Sequence, residues 1–242
     1  TKEYELRNEL YQQILHNLKM RIPDVIEFSR LEFEGLPVSK RKLKPLIEEQ
    51  LVEDWSDPRL PTLMGLKKRG FTPEAIRRFV LSLGITLSET KPSIEVLEAF
   101  NRKIIDSKSK RLLFVNDPVK ITIKNAMQNE VIFKNHPSIE MGTRKIYVNN
   151  VVFISYQDAE KLKNGMEIRL MELYNIKVSK IDIDKKEGIV EYTDNILKEN
   201  IPKIQWLSEQ DLVKYTIVKP NKLFIGDRFN HNSLEVIEGF AE

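Results

Sequence analysis

The chain has 242 residues, 41% of them hydrophobic, and a formal net charge of only +3, from 39 Lys and Arg against 36 Asp and Glu. That is enough material for a buried core in one or two domains, and it rules out bulk charge as the signal of a nucleic-acid binder, so any polyanion surface must be local. There is no cysteine, and His16, His136 and His231 are scattered without metal-ligand spacing, so disulfides, thiolate catalysis and a metal site are not expected.

From the N-terminus, Leu6, Leu10, Ile14 and Leu18 recur every four residues, with Tyr11 and Leu15 beside them, which predicts an amphipathic helix stopped by Pro23. Residues 25–34 read as a strand, and the alternation Arg30-Leu31-Glu32-Phe33-Glu34 turns Leu31 and Phe33 inward. Gly35 and Pro37 then break the run and are expected to leave Lys40, Arg41, Lys42 and Lys44 in a short loop, with Pro45 opening a helix over Leu46–Leu51. A serine-plus-lysine loop, Val38-Ser39-Lys40-Arg41-Lys42, between strand and helix suits a polyphosphate, because mobile ammonium groups can follow developing charge. On these residues alone a solvated basic loop is the commoner reading.

Residues 46–111 read as a helical block. Thr62 is placed to cap a helix that runs to Lys68-Arg69 and closes at Gly70. Thr72-Pro73-Glu74 opens the next, with Ala75, Ile76, Phe79, Val80 and Leu83 along one side and Gly84 at its end; Ser93 opens a third, with Ile94, Leu97, Phe100 and Ile104 inward. A helix-turn-helix DNA reader is one interpretation, but Glu74, Ala75 and Ile76 at the start of its recognition helix are poor base readers. Arg59, Lys67, Lys68, Arg69, Arg77 and Arg78 meet only Glu74 within their own twenty-residue window. They read either as helix-end cations or as contacts to a phosphate backbone.

From Leu112 the period changes to two. Val119, Ile121 and Ile123 alternate with Lys120, Thr122 and Lys124; Ile146, Val148, Val152 and Ile154 follow. Asp158–Lys163 reads as a helical turn, Met166–Ile183 as a long alternating segment, and Asp184–Gly188 as a hairpin turn. Short runs at 189–192, 204–207, 213–218 and 223–225 complete a pattern of barrels or a sandwich. His136, beside Pro137 in a turn-rich stretch, reads as structural. No apolar run approaches the roughly 20 residues of a membrane span, and Thr1–Glu5 is no signal peptide, so a soluble, cytosolic chain is expected.

Two linked stretches carry a family resemblance. Val38-Ser39-Lys40-Arg41-Lys42 resembles the degenerate KMSKS-type loop of the class I glutamyl- and glutaminyl-tRNA synthetases, and residues 57–77, Asp57-Pro58-Arg59-Leu60-Pro61-Thr62 onward, resemble the segment that follows it. Asn135-His136-Pro137, Glu140-Met141-Gly142-Thr143-Arg144, Ile204-Gln205-Trp206-Leu207 and Glu238-Gly239-Phe240-Ala241-Glu242 look like landmarks of that family's anticodon-binding barrels. The likeness covers nearly the whole chain and is similar in character to the archaeal-type glutamyl branch.

The resemblance implies a multi-domain α+β chain: the tail of a class I catalytic domain (1–47), an all-α helical junction that rests on tRNA (48–112), and two antiparallel anticodon-binding β-barrels (113–242), incomplete at the C-terminal end. It implies that Lys40, Ser39 and Lys42 serve adenylate chemistry and that the helical-block cations touch tRNA phosphate. Arg111 matches the arginine used on the middle anticodon base, Arg169 another anticodon-side arginine, and Lys161 a further basic contact; at Met171 the glutaminyl pattern has an arginine and this chain does not. The implied partners are glutamate tRNA, with glutamine tRNA as a second candidate, and glutamate and ATP with magnesium in the full-length enzyme. The HIGH-type ATP motif of the family is absent, so the isolated chain is expected to hold no cofactor and to be inactive. A glutaminyl-tRNA synthetase C-terminal half and a free-standing tRNA-binding module are the alternative readings.

Overall fold

The computed structural model describes residues 2–127 and 129–242. The chain divides into two compact units, one running up to Lys108 and including Pro220–Glu235, the other formed by Ser109–Lys219 and Val236–Glu242.

The first unit opens with a 3-10 turn, Lys2–Arg7, and helix α1, Asn8–Asn17. The expected helix forms, but its stripe does not face a core: Leu6, Leu10, Ile14 and Leu18 are exposed, and only Leu15 is buried. The expected strand over 25–34 does not form either. Only isolated bridges remain, Leu31 to Thr90 and Phe33 to Leu36, because Gly35, at φ +70°, turns the chain back after Phe33. Phe33 is still buried and stacks on Phe79 at 5.6 Å. Helix α2, Lys40–Glu48, starts at the first cation, so the cations lie on its opening turns and Pro45 lies inside it. Leu43 and Leu46, three residues apart, both reach the core from one face of a helix that spans them.

The next helices follow their local signals. Thr62 Oγ1 accepts the Gly65 N–H at 2.9 Å to start α3, Leu63–Lys68, and Thr72 Oγ1 accepts the Ala75 N–H at 3.2 Å to start α4, Pro73–Leu83. Gly70 and Gly84, both at positive φ, follow their ends, and α5 spans Ile94–Ile105. A Cβ on Gly65 would lie 2.4 Å from the Leu60 carbonyl oxygen and 2.7 Å from that of Asp57, so α3 can fold against the 57–60 turn only with glycine there. Leu43, Leu46, Val52, Leu60, Leu66, Phe71, Phe79 and Leu97 form the core.

The second unit is rich in strands: β1 (Phe114–Asn116), β2 (Pro118–Lys124), β3 (Asn129–Lys134), β4 (Thr143–Val148) and β5 (Val151–Ser155). Helix α6, Tyr156–Ala159, starts two residues before the expected turn because Ser155 Oγ accepts the Asp158 N–H. Then come β6 (Glu167–Leu170), β7 (Asn175–Asp182), β8 (Glu187–Tyr192), β9 (Lys203–Ile204), β10 (Leu207–Ser208) and β11 (Val213–Pro220). The long alternating segment over 166–183 forms the β6–β7 hairpin. Its turn was hidden because Leu170, Leu173 and Tyr174 are all buried and continue the apolar signal, while Glu172 takes the positive φ usually given to glycine. Among the described residues seven strands form one sheet in the order β10-β5-β2-β8-β7-β6-β9, with β2 antiparallel to β5 and parallel to β8, and β3 pairs with β4. The core gathers Val119, Ile121, Ile154, Ile168, Ile176 and Trp206, whose Nε1–H donates to the Met171 carbonyl at 2.9 Å.

After β11 the chain contributes a short hairpin, β12 (Phe224–Ile225) and β13 (Arg228–Phe229), to the first unit. Leu223 is fully buried in that unit's core, and Phe224 and Phe229 pack against it. Strand β14, Leu234–Ala241, then pairs with β1 in a three-stranded sheet ordered β1-β14-β11.

Candidate nucleic-acid interface

In the first unit, α2 has Ser39 as its N-cap residue, but the Ser39 hydroxyl makes no capping bond; its carbonyl accepts the Lys42 and Leu43 N–H groups at 2.9 and 3.1 Å. The first turn holds Lys40, Arg41 and Lys42 and no acid. Cations there oppose the helix macrodipole, so this turn is electrostatically better suited to an anion than to isolation. Lys44, one turn on, pairs with Glu48 at 2.9 Å. Beside the turn, Val38, Lys40, Leu43, Trp55, Pro61 and Thr62 line an open groove of about 430 Å³. Thr62 Oγ1 also donates to the Trp55 carbonyl at 2.6 Å, which fixes that wall.

The six helical-block cations separate into two kinds. Arg59 is largely buried and grips Asp57 with two bonds, Nε to Oδ1 at 2.9 Å and Nη2 to Oδ2 at 2.7 Å. Asp57 also accepts the backbone N–H groups of Glu53 and Arg59, both at 2.9 Å. Burial alone would raise the Asp57 carboxyl, but the Arg59 hydrogen bond and the two backbone N–H bonds outweigh it and hold the group below the usual carboxylate range. Arg69, equally covered, binds Glu98 at 2.8 Å and lies 5.2 Å from the Phe71 ring centre. Both arginines are therefore committed to shaping the unit. The other four are exposed. Lys68 pairs with Glu53 at 3.1 Å and Arg78 with Glu74 at 2.5 Å, surface pairs of little worth that a phosphate could replace. Lys67 and Arg77 have no carboxylate partner among the described residues.

In the second unit, Arg111 is exposed just ahead of β1, and its N–H donates to the Asn135 carbonyl at 2.7 Å. Arg169 lies differently: only 9% exposed on β6, it donates to Asn175 Oδ1 at 3.0 Å, the Leu173 carbonyl at 3.2 Å and Asn195 Oδ1 at 3.2 Å. Asn175 passes the link on, donating to Asp194 Oδ1 and the Ile196 carbonyl, each at 2.7 Å. Lys161, just past α6, is exposed, with Asp158 4.0 Å away. His136 Nδ1 accepts the N–H groups of Ser138 and Ile139, at 3.2 and 3.0 Å, so it shapes the 135–142 loop. Sequence reasoning missed Asn175 and Asn195, and it marked Asn135, Arg144 and Glu242 only as parts of family landmarks, with no role of their own. A buried asparagine inside a strand of apolar residues leaves only a faint mark in a sequence. Among the described residues no group of three or more His, Asp or Glu could hold a metal ion, and no helix is long and apolar enough to cross a membrane.

Comparison with known families adds to this geometry. Residues 1–107 match the family described as tRNA synthetases class I (E and Q), catalytic domain, and residues 109–196 match the anti-codon binding domain of the same class. Over all 242 residues the chain is 47% identical to a glutamate–tRNA ligase of Cenarchaeum symbiosum and 44% identical to that of Nitrosopumilus maritimus, covering 42% of each. A glutamine–tRNA ligase of Actinobacillus succinogenes is 32% identical, with all of this chain and 49% of that protein aligned. The chain thus spans less than half the length of these relatives.

Proposed function

We propose that this chain, which belongs to the class I tRNA synthetases for glutamate and glutamine, is the tRNA-recognising part of a glutamate–tRNA ligase. The observation that carries this reading is the unbroken likeness, at 47% and 44%, to two glutamate–tRNA ligases, against 32% for a glutamine–tRNA ligase. Met171, where a glutaminyl pattern has arginine, supports the same choice. In the whole protein glutamate and ATP, brought with magnesium, form glutamyl-adenylate, and the tRNA 3′ end then accepts the glutamyl group. Its place is the cytoplasm, its RNA partner glutamate tRNA, with glutamine tRNA a second substrate to test.

Residues 1–47 would end the catalytic domain, 48–112 form the stem-contact junction, and 113–242 build two anticodon-binding barrels from the strands described above. Lys40, with Ser39 and Lys42 shaping its turn, would balance charge on the departing pyrophosphate. Lys67 and Arg77, joined by Lys68 and Arg78 on exchange of their surface partners, would lie along tRNA phosphates, while Arg59 and Arg69 support that surface from within. Lys161 adds a phosphate contact on the anticodon side, and Arg169 acts there through the turn that carries Asn195.

Binding should weaken steeply with salt, and Lys67→Ala or Arg77→Ala should each lower the log–log salt slope by about 0.7 to 0.9. Titrations at several salt concentrations check this; an unchanged slope removes that residue from the phosphate contacts. The anticodon assignment is tested at Arg111. Its guanidinium presents paired donors to the acceptor edge of the uridine at the middle of the glutamate anticodon, which lysine cannot. Arg111→Lys should cost roughly 1–3 kcal/mol against the natural tRNA and little against one whose middle base is changed. Equal losses on both would leave Arg111 a phosphate contact.

A further inference from the structure

Arg111 does not stand on a free strand end. Its N–H is held by the Asn135 carbonyl at 2.7 Å, and two residues on the Leu113 N–H is held by Glu242 Oε1 at 2.6 Å. These two anchors are themselves joined. The same Glu242 oxygen binds Arg144 Nη2, and Arg144 Nη1 donates to the Lys134 carbonyl at 3.2 Å and to Asn135 Oδ1 at 3.4 Å. Asn135 is buried and fastened further, its N–H to the Gly142 carbonyl at 3.0 Å and its side-chain amide to the Met141 carbonyl at 3.1 Å. The Arg144 guanidinium lies 5.2 Å from the Phe133 ring centre, and Phe133 is a core residue.

Interactions therefore close a ring from Arg111 through Asn135, Arg144 and Glu242 to Leu113. The Glu242 side chain is only 7% exposed and that of Arg144 19%. A charge pair so far from water is expensive to bury, and as a stability device an apolar pair would serve as well. What an apolar pair could not supply is a direction. A charged acceptor holding the Leu113 N–H, and a carbonyl holding the Arg111 N–H, fix the backbone on which the arginine fork is mounted.

We propose that Glu242 and Arg144 are positioning residues for Arg111, setting the aim of its guanidinium at a base edge. The inference rests on the anticodon reading above. A fork that makes two bonds to one base loses discrimination when its mount swings, whereas a phosphate contact tolerates the swing.

The test uses the full-length protein with natural tRNA and with tRNA changed at the middle anticodon base. Glu242→Gln keeps the shape and removes the charge. It should reduce the preference for the natural tRNA by about tenfold, within the range for coupled neighbours. Combined with Arg111→Lys, it should add almost no further loss of preference. Arg144→Lys keeps a cation for Glu242 and loses the Asn135 link, so it should fall between Glu242→Gln and the parent. Exchange of the Leu113 amide, followed by NMR, should speed up in Glu242→Gln, showing directly that the anchor is weakened when its acceptor loses its charge. Full preference retained in Glu242→Gln, or a loss that adds to that of Arg111→Lys, overturns the positioning role. Equal weakening toward both tRNAs also overturns it and leaves the pair a structural one. If Arg111→Lys itself leaves the preference intact, the anticodon reading falls, and this inference falls with it.

Discussion

Replacing Lys40 by alanine in the full-length protein should slow adenylate formation by roughly 100- to 1,000-fold, the cost of one lost contact to charge developing in the transition state. The motive is the first turn of α2, where Lys40, Arg41 and Lys42 sit without an acid and the Ser39 hydroxyl is not used as a cap. A cation held against the helix dipole is stabilised when an anion arrives, so its contribution grows as pyrophosphate separates. tRNA affinity should barely change. Lys44→Ala, which removes a cation already paired with Glu48, is the matched control and should leave the rate within about threefold, as expected for an exposed pair. Pyrophosphate exchange measures the step, and a near-parental rate for Lys40→Ala would remove that residue from the chemistry.

The second large effect is expected on stability. Asp57→Ala strips Arg59 of its partner and frees the N–H groups of Glu53 and Arg59. Breaking a buried pair while leaving one charge behind costs about 3–5 kcal/mol. The sign with pH follows from the lowered Asp57 carboxyl. Its contribution is complete above the ordinary value of 3.8 and is lost as pH falls through the lower folded value. Urea melts at several pH values should therefore show stability falling below about pH 4 in the parent, with this part of the fall absent in Asp57→Ala. A melt unchanged by the substitution would mean that the turn at 53–60 is held by other contacts.

What the sequence made legible was local. The caps at Thr62 and Thr72, the proline at 73 and the glycines at 70 and 84 carry their instructions within three or four residues, and the structure follows them. The start of α2 was hidden because Pro45 looks like a helix opener, while burial of Leu43 and Leu46 decides the matter from outside the segment. The stripe of α1 was visible, but a stripe does not say what covers it, and here it lies exposed. Among the candidate contacts, charge and position were readable and commitment was not. Arg69 meets Glu98 twenty-nine residues away, Arg59 is spent on Asp57, and Arg169 is absorbed by Asn175 and Asn195. No pattern along the chain announces that Leu113 and Glu242, 129 residues apart, share a hydrogen bond.

The short hairpin that carries Leu223 has a consequence for how the protein is made. Leu223 is wholly shielded among Phe33, Leu43, Leu60, Phe79 and Leu97, residues translated more than a hundred codons earlier. Domains that fold during synthesis usually do so as each emerges from the ribosome. Here the first unit receives the last of its buried apolar side chains, Leu223, only after the intervening strands have left the exit tunnel and residues 220–235 follow them. A nascent chain that stops before Leu223 therefore lacks one buried side chain of this core and the two rings beside it, and is expected to leave that apolar site open to chaperones.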